Sequence, residues 1–181
     1  MCGIRDKNGL TQEEFLAAYN PDAYPKPALT ADICVIAAQE GVCEILLIKR
    51  GNHPFLGYWA LPGGFANKDE PAQETAAREL FEETGIEGIP LKLTGFYSEP
   101  GRDPRGWTVS AAYTAVIKKD SVNVQAGDDA AQAKWFEIKK KEGEIFLING
   151  EIVLPVTEGA CGTGRLAFDH THIISDALKS I

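Results

Sequence analysis

The chain has 181 residues, 44% of them hydrophobic and 24% charged, with a net charge of −8. That composition excludes disorder as the main state, and this length buries a core without a disulfide or metal staple. Its acidity makes it a poor passive partner for nucleic acid or an anionic membrane, so a phosphate substrate needs local arginines or a metal cation.

Residues 1–28 read as an N-terminal extension. Thr11-x-x-Glu14 is a capping box, and Phe15, Leu16 and Tyr19 fall on one face, which predicts a short amphipathic helix over 11–19. Asn20-Pro21 ends it. Two β-rich runs follow at 30–38 and 42–50, with the turn at 39–41. Residues 51–64 are broken by prolines and glycines around a short apolar piece at 58–61. A helix is expected over 71–84, strands over 91–98 and 107–117, and a loop between them at 99–106. A short strand at 133–138 and one or two more within 144–156 come next. The last helix is expected over 168–178, with Ile173, Ile174, Ala177 and Leu178 as its apolar stripe. Strands mixed with two or three helices predict one α/β or α+β domain over 29–181.

The longest apolar run is six residues, 33–38, whereas a membrane helix needs about 20. The N-terminus shows no apolar signal region, so a cytoplasmic protein is expected. Cys2, Cys34, Cys43 and Cys161 form no C-x-x-C pair, which argues against a zinc ribbon. The turn at 39–41 places Cys34 opposite residue 47, about 13 Å along the strand from Cys43. A disulfide is therefore not expected, and reduced, buried thiols are.

The informative segment is GFANKDEPAQETAARELFEETGI, residues 64–86. Pro71 suits a first helical turn and Gly85 the stop. At about 100° per residue, Glu82 lies about 60° behind Glu79 and Glu83 about 40° ahead, so three carboxylates share one face. A partly buried pair at about 5.5 Å repels by roughly 3 kcal/mol at an effective dielectric of 20. Glu82 and Glu83 also sit at the negative end of the helix dipole. Such a local conflict marks a functional site, and a hard divalent cation relieves it. Arg78 lies beside the cluster, within reach of Glu74 or Glu82, or of Glu70 by folding back.

The segment fits G-x5-E-x7-R-E-U-x-E-E-x-G-U, where U is aliphatic, through Gly64, Glu70, Arg78, Glu79, Leu80, Glu82, Glu83, Gly85 and Ile86. A chance match anywhere in this chain is of order 10⁻⁷. On these residues the chain resembles the Nudix hydrolases. The resemblance continues through WALPGG at 59–64, SEPGRDPRGWTVSAAY at 98–113, GDDAAQAKWFEI at 127–138 and LAFDH at 166–170. The later stretches are most similar to ADP-ribose pyrophosphatases.

The resemblance implies a Nudix fold, an α/β/α sandwich around a mixed β-sheet. It implies hydrolysis of a nucleoside diphosphate linked to another moiety, with ADP-ribose the expected substrate. Glu79, Glu82 and Glu83 would hold Mg2+, with Mn2+ as a substitute and the Gly64 carbonyl as a further ligand. Glu70 and Arg78 would form a structural brace. Asp128 and Asp129 lie in the loop that corresponds to the general base, with Glu82 or Glu99 as alternatives. Arg102 and Arg105 in the GRDPRGW loop, and Arg50 at its strand end, are candidate grips on ribose or phosphate. Trp59, Phe55, Tyr58 and Trp107 are candidate stacking surfaces. His170 and His172 stand about 200° apart on a helix and make no metal pair.

The partners expected are a small-molecule nucleotide and a second copy in a homodimer, with no nucleic acid and no membrane. Related regulators append a winged helix domain, for which the stretch after the last expected strand is too short. Related NADH pyrophosphatases carry a zinc ribbon and an SQPWPFP stretch, and neither is present. Other nucleotides as substrate, and a non-catalytic ADP-ribose sensor, are the alternative functions.

Overall fold

The structure is a computed structural model that describes residues 4–125, 127, 130–157 and 165–181. The first β-rich runs form the hairpin β1 (Ala28–Gln39) and β2 (Val42–Arg50), with Ala38 opposite Cys43. The short strands β3 (Trp59–Ala60) and β4 (Gly63–Phe65) pair antiparallel with β2 and β1. The strand β4 is not apparent in the sequence, where two glycines and a proline read as loop. The helix α2 (Ala72–Thr84) follows, then β5 (Lys92–Tyr97) and β6 (Thr108–Ile117). The strand β7 (Ala130–Lys141) is longer than expected, because it continues through polar residues that pair with β2 and β8 (Glu144–Asn149). The chain closes with β9 (Ile152–Val156) and the helix α3 (His170–Lys179).

The long strands run in the order β5-β6-β1-β2-β7-β8-β9. Between β1 and β6 the pairing is parallel and along the rest of that path it is antiparallel, so the sheet is mixed. Alternation along β1 builds two cores. Ala31, Ile33 and Val35 pack with Ala76 and Leu80 of α2. On the other face, Cys34 packs with Phe136, Leu147 and the α3 residues Ile173, Ile174 and Ala177. Helices therefore cover both faces, as the α/β/α expectation requires.

The helix α1 (Gln12–Ala18) forms with the expected capping box, but it buries none of its residues. Its apolar side chains Phe15 and Leu16 stay exposed, so the amphipathic pattern does not lead to packing within the described residues. Cys34 is a buried free thiol as expected, whereas Cys43 is exposed near the end of its hairpin. No helix among the described residues is long and apolar enough to cross a membrane.

Candidate active site

The acidic face of α2 meets the loop that leads into it. Pro71 precedes the helix as its N-cap, and Gly85 ends it with φ +72. On this helix Arg78 gathers its neighbours. Its Nε donates to Glu70 Oε1 at 2.8 Å and its NH2 to Glu70 Oε2 at 3.0 Å. Its NH1 donates to Glu79 Oε1 at 2.7 Å and to Glu82 Oε2 at 2.9 Å, and its NH2 to the Phe65 carbonyl at 3.0 Å. Of the partners that the sequence offers Arg78, Glu70 and Glu82 are used, together with Glu79. Glu70 also accepts from the Asn67 amide and the Thr75 hydroxyl. These bonds hold the Glu70 carboxyl down to about 2, with the Arg78 contribution the largest.

Glu83 is buried, and the Gly63 amide donates to its Oε2 at 2.8 Å. Burial pushes its carboxyl up to about 8, and the Glu79 charge adds to that rise. Burial also raises Glu79, against the pull of Arg78. Gly64 lies flat against Glu79: a Cβ there would stand 2.5 Å from the carboxylate. Among the described residues no three His, Cys, Asp or Glu side chains are already gathered into a metal-holding group. Glu79 and Glu82 are turned onto Arg78, and Glu83 onto the Gly63 amide. The donors are nonetheless all oxygen, and burial of Glu83 and partial burial of Glu79 disfavour both as lone anions, which fits a hard divalent cation.

A cleft of about 290 Å³ opens beside this face, lined by Glu79 and Glu83, by Arg50 and Arg105, and by Asp32 and His170. Arg50 donates to the Pro54 carbonyl and lies 5.0 Å from the Phe168 ring centroid. Arg105 pairs with Asp103 at 2.7 Å and lies over Phe65 at 4.5 Å. Both arginines line the cleft.

Arg102 also lines the cleft, though not as an exposed grip. It is 5% exposed and binds Asp169 with two hydrogen bonds, of 2.9 and 2.7 Å. Asp169 lies far along the chain, so this pairing is not apparent from the GRDPRGW loop. Trp59 is not a stacking surface either: it is 4% exposed, with its ring edge-to-face on Phe136 at 4.8 Å. Trp107 is exposed, and Phe55 packs against Tyr58 and Phe168. Glu99 is exposed on the loop before Arg102. Asp128 and Asp129 lie outside the described residues. Their neighbour Gly127 donates its amide to the Glu83 carbonyl at 3.2 Å, and a Cβ on it would meet the Glu82 carbonyl at 2.6 Å.

Sequence reasoning missed Asp32 and His170. Burial would raise the Asp32 carboxyl, but His170, Ser110 and Arg102 outweigh it and hold the group below its usual range. A charged residue set between Ala31 and the apolar run 33–38 was the available signal.

Residues 26–148 match the family described as NUDIX domain. The chain belongs to the Nudix family. It is 40% identical over 135 residues to the ADPR responsive transcriptional repressor NtrR of Acinetobacter baylyi, a match covering 74% of this chain and 54% of the repressor. The chain thus spans about half the length of that relative. It is 38% identical over 146 residues to the ADP-ribose pyrophosphatase of Methanocaldococcus jannaschii, covering 78% of this chain and 72% of that enzyme. The NUDIX domain of Shewanella oneidensis NrtR, solved with ADP ribose, superposes with a TM-score of 0.73 at 30% identity, covering 94% of this chain and 99% of that one. The helix α2 and its leading loop are the Nudix motif of this chain.

Proposed function

We propose that the chain is a divalent-cation-dependent hydrolase that converts ADP-ribose to AMP and ribose 5-phosphate. The observation that carries this reading is the complete acidic face of α2, with Glu83 buried at the cleft beside Arg50 and Arg105. The likeness to the M. jannaschii pyrophosphatase supports the substrate. Glu79, Glu82 and Glu83 would hold Mg2+, or Mn2+ in its place, with the Gly64 carbonyl. The cation would neutralise the diphosphate and acidify a water.

Arg50 and Arg105 bind the phosphates, and their planar guanidiniums match phosphate oxygens. Arg78 and Glu70 brace the helix. Asp128 or Asp129 takes the proton of the attacking water, with Glu82 as the alternative. One water adds across the P–O–P bridge, and each phosphate leaves with one former bridge or water oxygen. The same reading gives a cytoplasmic homodimer with a small nucleotide substrate and no nucleic-acid or membrane partner.

A second reading is an ADP-ribose sensor without turnover, favoured by the identity to the repressor and the likeness to the NrtR domain. Mg2+-dependent phosphate release, coupled through a phosphatase, separates the two. The panel is ADP-ribose, NADH, nucleotide sugars, dinucleoside polyphosphates and nucleoside triphosphates. Preferential turnover of ADP-ribose that is lost in Glu83→Gln is expected. ADP-ribose binding with no turnover of any substrate selects the sensor, and preference for another nucleotide replaces the substrate.

A further inference from the structure

One buried histidine ties the last helix to the loop before α2. The Leu61 amide donates to His170 Nδ1 at 2.9 Å. A nitrogen that accepts carries no proton, so the ring proton is on Nε2. Nε2 lies 3.3 Å from Asp32 Oδ1. Asp32 is fixed in turn, because the Ser110 hydroxyl donates to its Oδ2 and the Arg102 guanidinium lies 3.6 Å from the same oxygen. His170 is 2% exposed, and its two bonds link α3 to the loop and to β1.

The loop these bonds hold shapes the carboxylate site. Two residues after Leu61, the Gly63 amide binds Glu83, and one further on Gly64 abuts Glu79. The Pro62 carbonyl, between Leu61 and Gly63, accepts from the Ile33 amide at 2.9 Å. A Cβ on Gly63 would fall 2.1 Å from the Ala31 carbonyl, so this backbone is pressed onto β1 with no slack.

We propose that His170 is a positioning residue of the carboxylate site: by accepting from the Leu61 amide it holds residues 61–64 where Gly63 and Gly64 orient Glu83 and Glu79. The proposal rests on those carboxylates being the metal-holding groups. His170 acts through the Leu61 backbone, much as outer-shell groups orient metal ligands elsewhere.

Two variants each remove one of its bonds. Asn presents an acceptor where Nδ1 stands and drops the Asp32 bond; Gln reaches Asp32 and drops the Leu61 bond. Both lose one buried hydrogen bond, so a purely structural role lowers their melting temperatures and changes nothing else between them. His170→Gln is expected to speed Gly63 amide exchange and weaken Mn2+ binding, read by calorimetry, about tenfold, while His170→Asn stays within about twofold of the parent. Nitrogen NMR of the parent should show Nε2 protonated and Nδ1 bare. Equal Gly63 exchange in the two variants, a larger effect in His170→Asn, or a protonated Nδ1 overturns the proposal. If the parent binds no Mn2+, the metal-site reading fails, and Gly63 exchange still decides the role of His170.

Discussion

Gly64 shows how little room the site leaves at the level of one residue. The space its missing Cβ vacates is filled by the Glu79 carboxylate, 2.5 Å from where a methyl would sit. Carboxylate and backbone meet there because Glu79 is held from the other side by Arg78. A methyl would push the flexible end of Glu79 aside and leave the fold intact. Gly64→Ala is therefore expected to raise the Mg2+ concentration for half-maximal turnover about tenfold or more, the usual scale for a disturbed ligand set. Metal titration of initial rates checks it, with a thermal melt to show that the variant is folded. A variant with parental metal dependence would remove Glu79 from the ligand set.

At the level of the element, α2 is braced through Glu70, and the brace responds to pH. Glu70 is lowered from an ordinary value of 4.5 to about 2 in the folded chain, chiefly by Arg78 and then by the Asn67 amide. A depressed carboxyl stabilises the fold above its unfolded value, and that contribution is lost as pH falls from 4.5 toward about 2. Urea unfolding across this window is expected to show a steep acid limb in the parent and a shallower one in Glu70→Gln. Parallel acid limbs would mean that the brace contributes nothing. This element was legible in advance because its signal is local: helical spacing, start and stop residues, and one unfavourable acidic face all lie within residues 64–86. The roles of Arg102 and Trp59 were not. Each is decided by a partner far along the chain, Asp169 for the one and Phe136 for the other. The strand β4 was hidden for a related reason, since only its pairing with β1 makes Gly63 and Gly64 a strand.

For the whole molecule, the two cores account for α2 and α3 and leave α1 outside. Phe15, Leu16, Tyr19 and Tyr24 are 45%, 58%, 48% and 72% exposed, so the N-terminal segment carries apolar surface left open among the described residues. The Phe15 and Tyr19 rings meet at 5.6 Å between centroids, and contiguous apolar surface marks an interaction site. The homodimer follows if that surface lies on a second copy. Light scattering is expected to give the mass of a dimer, and Phe15→Ser with Leu16→Ser to give a monomer. A monomeric parent at working concentration would remove the dimer.

The parallel pairing of β1 with β6 and the bond from His170 to Leu61 both join distant parts of the chain. During synthesis the Nudix motif is complete once residue 86 has emerged. The central strand β1 still lacks its parallel neighbour until residue 117, and the loop lacks its histidine until residue 170. Contacts so distant in sequence form late and slowly. The nascent chain thus carries its acidic face well before it carries the framework that orients it, so the oriented carboxylate face is among the last features to mature.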